Sequence, residues 1–587
     1  MFVPLVCLRA AGARVARLLV ATGLLFPISF SHSQTVTADF ASRSGSTPSV
    51  PAGLFSVGGA GSSINQPGPL NTLTTAGLDR TRIWIPLQQI FANKSKPNFN
   101  YLDKMLETVR TSGLHPLAVI YDTPPWLASK PCDAPSSVWQ WGQLAASIVA
   151  HADKAFPGLV KDYEIWNEPE LVTSLCISNA TTRRNTYVSL FAEAAVAMHK
   201  QAEADGETIR TGGPVISQLS QAPTWIPALL NNSSAAPYVD FVSFHLYPTG
   251  QPNIDAGMNW WALYSITQSP TRGLAYYYKK LELLVRSGHQ PHAWTTPIYI
   301  SEFNDNWAYA VDCCRNNPTY GPLWNSLAIA DFLNVVHNGA NAVPSQLSYF
   351  NASGSYFCIL GRWNQKMNCD ASATDPYPQY YAYKLFASSD YLDLQAGGHM
   401  AASVSPGSTT SGLDATAFYT SGADDVVIIN STSTPHNSMT VSLKNTGLRS
   451  PSGVLHLLNS SHAEISSESV KIESTSTGYS VKVAVPAYSV VALSIKGESA
   501  GEAPKAVLSV SALSGTHPMT VSVNSSESQG GGSAITGRTL TFGDGTWSNW
   551  SESVTHTYTK AGHYFIGLTV KNASGQYSST GTTVTVH

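Results

Sequence analysis

The sequence predicts an α/β protein in which a (β/α)8 barrel is followed by two β-sandwiches. Three observations predict it. From about residue 54 to 390, strand-like and helix-like segments alternate, with eight strand candidates among them. After Leu392 the helical spacing disappears and short alternating runs replace it. Residues 497–504 then read as a linker before a last all-β segment that runs to His587. A doubly wound open sheet is the competing architecture, but no glycine-rich phosphate loop follows an early strand.

The elements follow in order. Arg9, Arg14 and Arg17 precede the apolar run 18–30, and Ser31-His32-Ser33 supplies a small-x-small cleavage pattern. Residues 1–33 therefore read as a signal peptide, and the mature chain as secreted, extracellular or periplasmic. The run is too short to cross a bilayer, and no other stretch reaches the ~20 apolar residues that a membrane span needs. Residues 35–40 either add a strand to the first sandwich or form a tail. The barrel is expected over 34–392, with strands at 54–58, 80–85, 115–121, 163–166, 209–213, 241–244, 298–301 and 346–350. Within 98–112, Tyr101, Leu102, Met105, Leu106 and Val109 recur at helical spacing before Gly113. His115–Tyr121 is a nearly continuous apolar run, as in a strand covered on both faces. Tyr187, Leu190, Phe191, Ala194, Ala195 and Met198 mark another helix, which ends near Gly206. The first sandwich is expected over 393–496, and the last domain over 505–587.

Composition narrows the function. Charged residues make up 12% of the 587, about half the usual ~25%. With 34 basic and 37 acidic residues the net charge is −3, which excludes a nucleic-acid binder built on a basic face. The 14 Trp and 26 Tyr, among many amides and hydroxyls, suit a carbohydrate surface. Of seven Cys, Cys7 lies in the signal, leaving six. An even number in an exported chain suggests disulfides. Cys358–Cys369, which bracket a short loop, are the first candidate pair and Cys132–Cys176 the second. Cys313 and Cys314 either bridge each other or split between partners. These cysteines fall in loops expected at one pole of the barrel, where they would brace the substrate cleft. No Cys/His cluster suggests a metal, no cofactor is implied, and a monomer is expected.

Two strands deliver carboxylates at their C-terminal ends. Tyr163-Glu164-Ile165-Trp166-Asn167-Glu168-Pro169 ends the fourth strand, where Pro169 stops further pairing. Ile298-Tyr299-Ile300-Ser301-Glu302-Phe303-Asn304 ends the seventh. In a barrel that pole is the catalytic one. Two such carboxylates, Glu168 and Glu302, form the constellation for glycoside hydrolysis, in which one acid arrives protonated and the other ionised.

The strings Trp-Asn-Glu-Pro, Thr123-Pro124-Pro125-Trp126 and His245-Leu246-Tyr247 resemble clan A glycoside hydrolases, family 39 above all. Families 5, 30, 51 and 79 share much of the pattern. The resemblance implies a retaining mechanism, with Glu168 as acid/base and Glu302 as nucleophile. It implies that Asn167 holds the sugar 2-hydroxyl. Arg82, with Arg80 as competitor, would keep the nucleophile ionised. His245 would bond the acid/base and Tyr247 the nucleophile, and Trp126 would stack on sugar. Trp307 is a further substrate-binding candidate; Trp84, Trp139, Tyr349 and Trp363 are weaker ones. No Trp stands at the end of the eighth strand, where Tyr349-Phe350 are found instead.

The last segment carries Thr541-Phe542-Gly543-Asp544-Gly545, then Val554-Thr555-His556-Thr557-Tyr558 and Gly562–Val570. It resembles a polycystic-kidney-disease (PKD) domain, an immunoglobulin-like sandwich. Its Gly-Asp-Gly reads as a structural turn, and its expected role is a spacer in preference to a polymer binder. The expected substrate is a polysaccharide or oligosaccharide. The alternative function is a non-catalytic carbohydrate-binding or adhesion protein on a barrel scaffold. A secreted esterase or peptidase lacks its Gly-x-Ser-x-Gly or His-Glu-x-x-His.

Overall fold

A computed structural model describes residues 35–40, 49–58, 67–249, 259–271, 273–288, 295–307, 314, 317–352, 358–360, 374–394, 398–405, 412–420, 422–459, 464–499, 504–531, 534–549, 552–573 and 577–587. Strand β1 (Thr35–Asp39) precedes eight strands that close into a parallel barrel in sequence order. These are β2 (Phe55–Gly58), β3 (Arg80–Pro86), β4 (His115–Tyr121), β5 (Asp162–Ile165), β6 (Arg210–Ile216), β7 (Phe241–Leu246), β8 (Ile298–Phe303) and β9 (Gln346–Phe350). Closure is completed by β2 pairing with β9, Phe55 opposite Leu347. All eight overlap the strand segments expected from the sequence.

Two layers hold the barrel. Inside, Leu117, Phe241 and Tyr299 form a plug, with the Phe241 and Tyr299 rings stacked at 4.3 Å. Outside, helices pack on the strands. Leu102, Met105, Leu106 and Val109 of the helix Asn100–Thr111 are all buried, each such side chain contributing roughly 1.5–3 kcal/mol. The helix Ala180–Ala204 buries Tyr187, Leu190, Phe191, Ala194, Ala195 and Met198, the six residues its spacing singles out.

Beyond the barrel lie β10 (His399–Met400), β11 (Ser403–Ser405), β12 (Leu413–Tyr419), β13 (Ala423–Asn430), β14 (His436–Lys444), β15 (Leu448–Asn459), β16 (Ser466–Val470), β17 (Ile472–Thr475), β18 (Gly478–Val485) and β19 (Ser489–Ser499). They form a six-stranded sheet, β10-β12-β13-β19-β15-β16, and a five-stranded sheet, β11-β1-β14-β18-β17. Strand β1 enters the second sheet parallel to β14, Val36 opposite Val441. Every residue of β13 is buried. Val426 and Ile428 face the sandwich core, while Val427 and Ile429 join the barrel core, the two faces that strand alternation supplies. Trp260 Nε1 donates to Ser431 O across this junction, and Asn334 Nδ2 to Ala415 O, both at 2.8 Å.

The last strands are β20 (Ser509–Val510), β21 (Ser514–Gly515), β22 (Met519–Asn524), β23 (Ile535–Thr541), β24 (Trp547–Asn549), β25 (Ser553–Tyr558), β26 (Gly562–Asn572) and β27 (Tyr577–Val586). They make sheets β20-β22-β25 and β21-β27-β26-β23-β24 around a core of their own. Gly543 and Gly545 both take positive φ, 78° and 88°. A Cβ on Gly543 would come within 2.6 Å of Phe565 N, so the Gly-Asp-Gly turn is a backbone requirement. Among the described residues, no helix is long and apolar enough to cross a membrane.

Candidate active site

Arg82 within β3 and the C-terminal ends of β5, β7 and β8 bring one cluster of ionisable groups together in the barrel mouth. Arg82 is its hub and is fully buried. Its Nε donates to Glu164 Oε2 at 2.7 Å, its Nη1 to Glu302 Oε1 at 2.6 Å and its Nη2 to Asn167 Oδ1 at 2.9 Å. The Trp84 ring lies 4.6 Å from the guanidinium carbon. Arg80, the competing candidate, lies two residues earlier and pairs with Asp162 at 3.2 Å, away from Glu302.

Backbone irregularities aim the two expected carboxylates. On β5, alternation would turn Trp166 into the barrel after Asp162 and Glu164. Instead Trp166 has φ 71°. Its ring turns outward against Trp141, centroids 5.8 Å apart, and its Nε1 donates to Ser174 O at 3.2 Å. The strand therefore ends at Ile165, one residue short of the predicted end, and Asn167 is the residue that reaches Arg82. Glu168 also has positive φ, 44°, and its N–H donates to Val215 O at 3.0 Å. Two non-glycine residues in this region within three positions mark stored strain of the kind that clusters at functional sites. On β8, the register slips by one residue after Ile300: Ile300 lies opposite Phe244, but Glu302 lies opposite His245. Ile300 packs outward in the helix layer. The extra residue, Ser301, reverses the facing of Glu302 and turns it inward.

His245 and Tyr247 share the inner face of β7 and its continuation. His245 Nδ1 lies 2.9 Å from Glu168 Oε1 and 3.5 Å from Glu302 Oε2. Tyr247 OH donates to Glu302 Oε2 at 2.8 Å. One carboxylate oxygen of Glu168, one ring nitrogen of His245 and one carboxylate oxygen of Glu302 all lie within 4.8 Å of one another.

The electrostatics follow from this crowding. Burial works against the Arg82 charge, but Glu164 and Glu302 outweigh it and hold the guanidinium above its usual range. Burial also works against a charged His245; Glu302 first, then Glu168, more than offset that and raise it above 6.5. Burial favours the neutral form of Glu168, yet the hydrogen bond and charge of His245, with help from Ser217 and Arg82, leave it below 4.5. The two shifts run in opposite directions: His245 holds a proton more tightly than a free imidazole and Glu168 less tightly than a free carboxyl, one hydrogen bond apart. Burial, followed by the Glu302 charge, pushes the Tyr247 phenol well up, so it remains a donor.

The aromatic candidates divide. Trp126 is half-buried, donates from Nε1 to Phe91 O at 2.8 Å and has Lys94 Nζ 5.1 Å from its ring. Trp139 and Trp307 are exposed, and Tyr349 is buried against Phe303 and Tyr383. Trp363 lies outside the described residues. Cys132 and Cys176 are disulfide-bonded. Cys314 and Cys358 are disulfide-bonded as well, whereas Cys313 and Cys369 lie outside the described residues.

Sequence reasoning assigned no role to three residues. Glu164 neutralises Arg82 from a fully buried position. Its signal was a second acid two residues after Asp162, on the same face of the strand. Ser217 bonds Glu168 and is itself held by Glu170, whose Oε1 accepts from Ser217 N at 2.6 Å and Gln218 N at 2.8 Å. These contacts cross from β5 to the end of β6, and no spacing in the sequence encodes them.

Comparison with known proteins agrees with this geometry. Residues 501–586 match the model of the PKD domain. No curated protein matches the chain. Among solved structures, a GH39 enzyme from Xanthomonas axonopodis pv. citri aligns at 13% identity and TM-score 0.55, over 81% of this chain and 100% of that one. A GH30 endoxylanase from Clostridium papyrosolvens C71 aligns at 14% and 0.54, over 79% and 100%. A bacterial orthologue of human α-L-iduronidase aligns at 13% and 0.54, over 94% and 99%. At these identities the structures speak for the fold. The family model of the glycosyl hydrolases family 39 matches residues 80–455, well over half of the chain, and with Glu168 and Glu302 brought together at the mouth of its barrel this protein belongs to that family of glycosidases.

Proposed function

We propose that the chain is a secreted, retaining glycosidase acting on a plant or microbial cell-wall polysaccharide or its oligosaccharides. The observation that carries the mechanism is the approach of Glu168 and Glu302 oxygens to within 4.8 Å. Retaining enzymes hold their carboxyl groups ~5–5.5 Å apart, whereas inverting ones leave ~6.5–9.5 Å for a water. Glu302, aimed by its bonds from Arg82 and Tyr247, attacks the anomeric carbon. The proton passes from His245 Nδ1 to Glu168, and Glu168 delivers it to the leaving oxygen. The glycosyl ester on Glu302 is then hydrolysed by a water that Glu168 deprotonates. Asn167, its Oδ1 fixed by Arg82, turns its amide hydrogens to the sugar 2-hydroxyl. Trp126 and the exposed Trp307 are the proposed sugar contacts beyond the reacting ring.

Export is supported by the disulfide Cys132–Cys176, which oxidising compartments favour, and by the signal-like segment at 1–33. The experiment is sugar release from a panel of polysaccharides and aryl glycosides, β-xylosides first, with Glu168→Gln and Glu302→Gln beside the wild type. Activity on one glycoside class, lost in both variants, is expected. Turnover that survives Glu302→Gln would overturn the assignment.

A further inference from the structure

The outer face of the β21-β27-β26-β23-β24 sheet carries exposed aromatic rings that the catalytic site does not use. Trp547 is 64% exposed and Phe565 47%. They bound a cavity of about 790 Å³ whose floor is the sheet and whose border includes Ser49. Large aromatic side chains normally bury 150–250 Å², so two of them left open on one sheet face mark a binding surface.

The sheet is built to present them. Trp547, Thr541, Gly567 and Gly581 lie in one row across four neighbouring strands. At about 4.8 Å per strand the row is about 14 Å long, which suits an oligosaccharide more than a single sugar ring. Gly581 is the reason Phe565 lies flat: a Cβ there would come within 2.2 Å of the Phe565 ring. The ring rests on the glycine floor at one end of the row, and Trp547 stands at the other.

Between and beside the rings the lining is hydroxyl and amide. Asn549, Thr539, Thr569 and Ser579 form the next row, with Thr569 Oγ1 and Ser579 Oγ 2.9 Å apart. The two cations of the lining are engaged. Arg538 pairs with Glu552 at 3.0 Å, and Lys571 Nζ lies 5.6 Å from the Tyr577 ring. Open aromatic rings with hydroxyl and amide groups between them, and engaged cations, match a pyranose chain. Its C–H faces stack on rings while its rim of hydroxyls seeks neutral hydrogen-bond partners.

We infer that this face binds an extended, neutral polysaccharide, a reading that rests on the glycosidase assignment for its choice of ligand. The face lies toward the pole of the barrel opposite the reacting carboxylates. Ser49 precedes β2, and His563 of β26 feels the charges of Asp240 and His199, with Asp240 at the start of β7. Polymer held there tethers the enzyme and does not thread into the cleft.

The test uses the full chain with insoluble xylan and microcrystalline cellulose as separate probes. Retention on at least one polymer is expected. It should fall at least tenfold in the Trp547→Ala/Phe565→Ala double variant and stay unchanged in 1 M NaCl, because charge does not drive it. Leu513→Ala, at an exposed apolar position of the same domain away from the cavity, should bind as wild type. Turnover of a soluble aryl glycoside should be equal in all three proteins; that readout reports the glycosidase reading alone. Retention that is undiminished in the double variant, or is released by salt, overturns the inference, as does a turnover-competent wild type that binds neither polymer.

Discussion

Strands β3 and β5 each carry two charged residues spaced by two, and the barrel uses the two pairs in opposite ways. Near the N-terminal pole Arg80 and Arg210 share Asp162: both Asp162 oxygens accept from Arg210, at 2.6 and 2.7 Å, and Arg80 adds a third bond. There two cations share one carboxylate. One layer up, the ratio reverses. Arg82 and His245 serve Glu164, Glu302 and Glu168, and the Glu168 side chain stays 23% exposed. Excess carboxylate beside a histidine is what makes a proton available, because only one of the groups needs to hold it. The same residue types at the same spacing thus give a structural lock at one pole and the proposed proton-transfer site at the other.

The comparison breaks most sharply when its two acids are neutralised in turn. Glu164→Gln should lower kcat/KM by about 10²-fold, because Arg82 loses the partner that divides its charge and binds Glu302 more tightly. Loss of a buried ion-pair partner also costs about 3–5 kcal/mol of stability. Asp162→Asn should bring a stability cost of that kind, discounted because Arg210 is partly exposed, with kcat/KM held within about twofold. Steady-state kinetics beside thermal melts separate the two, and equal kinetic losses would dissolve the contrast.

A second, smaller effect is in the pH profile. His245 is held above 6.5 by Glu302 and Glu168, so the wild type keeps its transferable proton on the alkaline side of that value. His245→Ala removes the group that stores it. Glu168 then has only Ser217 and Arg82 set against burial, and the store of the proton above 6.5 is gone. The alkaline limb of kcat/KM should therefore move toward acid, with a several-fold loss at pH 7. An unmoved limb would place the proton elsewhere.

The smallest effect tests a buried acid outside both clusters. Burial pushes Asp425 on β13 up to about 8. An acid raised in the fold stabilises the fold while it is protonated, and that contribution fades as pH rises from about 4 toward 8. Asp425→Asn should raise Tm by a few degrees at pH 8 and by little at pH 5. A loss of Tm at pH 8 would contradict this.

Much of this was legible in the residues. The apolar run 115–121 pointed to a covered strand, and the spacing around Tyr187 to a helix. Glu168 and Glu302 stood out because each follows such a run. In the first sandwich, β12 places the polar Asp414 and Thr416 at half-buried and buried positions, which polarity alone does not announce. The choice between Arg80 and Arg82 was open because both point inward. Only the register of β3 against β4 and β5 sets their depth. The outward turn of Trp166 and the extra residue at Ser301 leave no trace in periodicity, since both depart from it.

The most direct measurement is peptide mass spectrometry after incubation with an activated 2-deoxy-2-fluoro glycoside of the sugar that the panel identifies. The account predicts one glycosyl mass on the peptide carrying Glu302, absent in Glu302→Gln. A label on any other residue, or an inverted first product with no label, would contradict it.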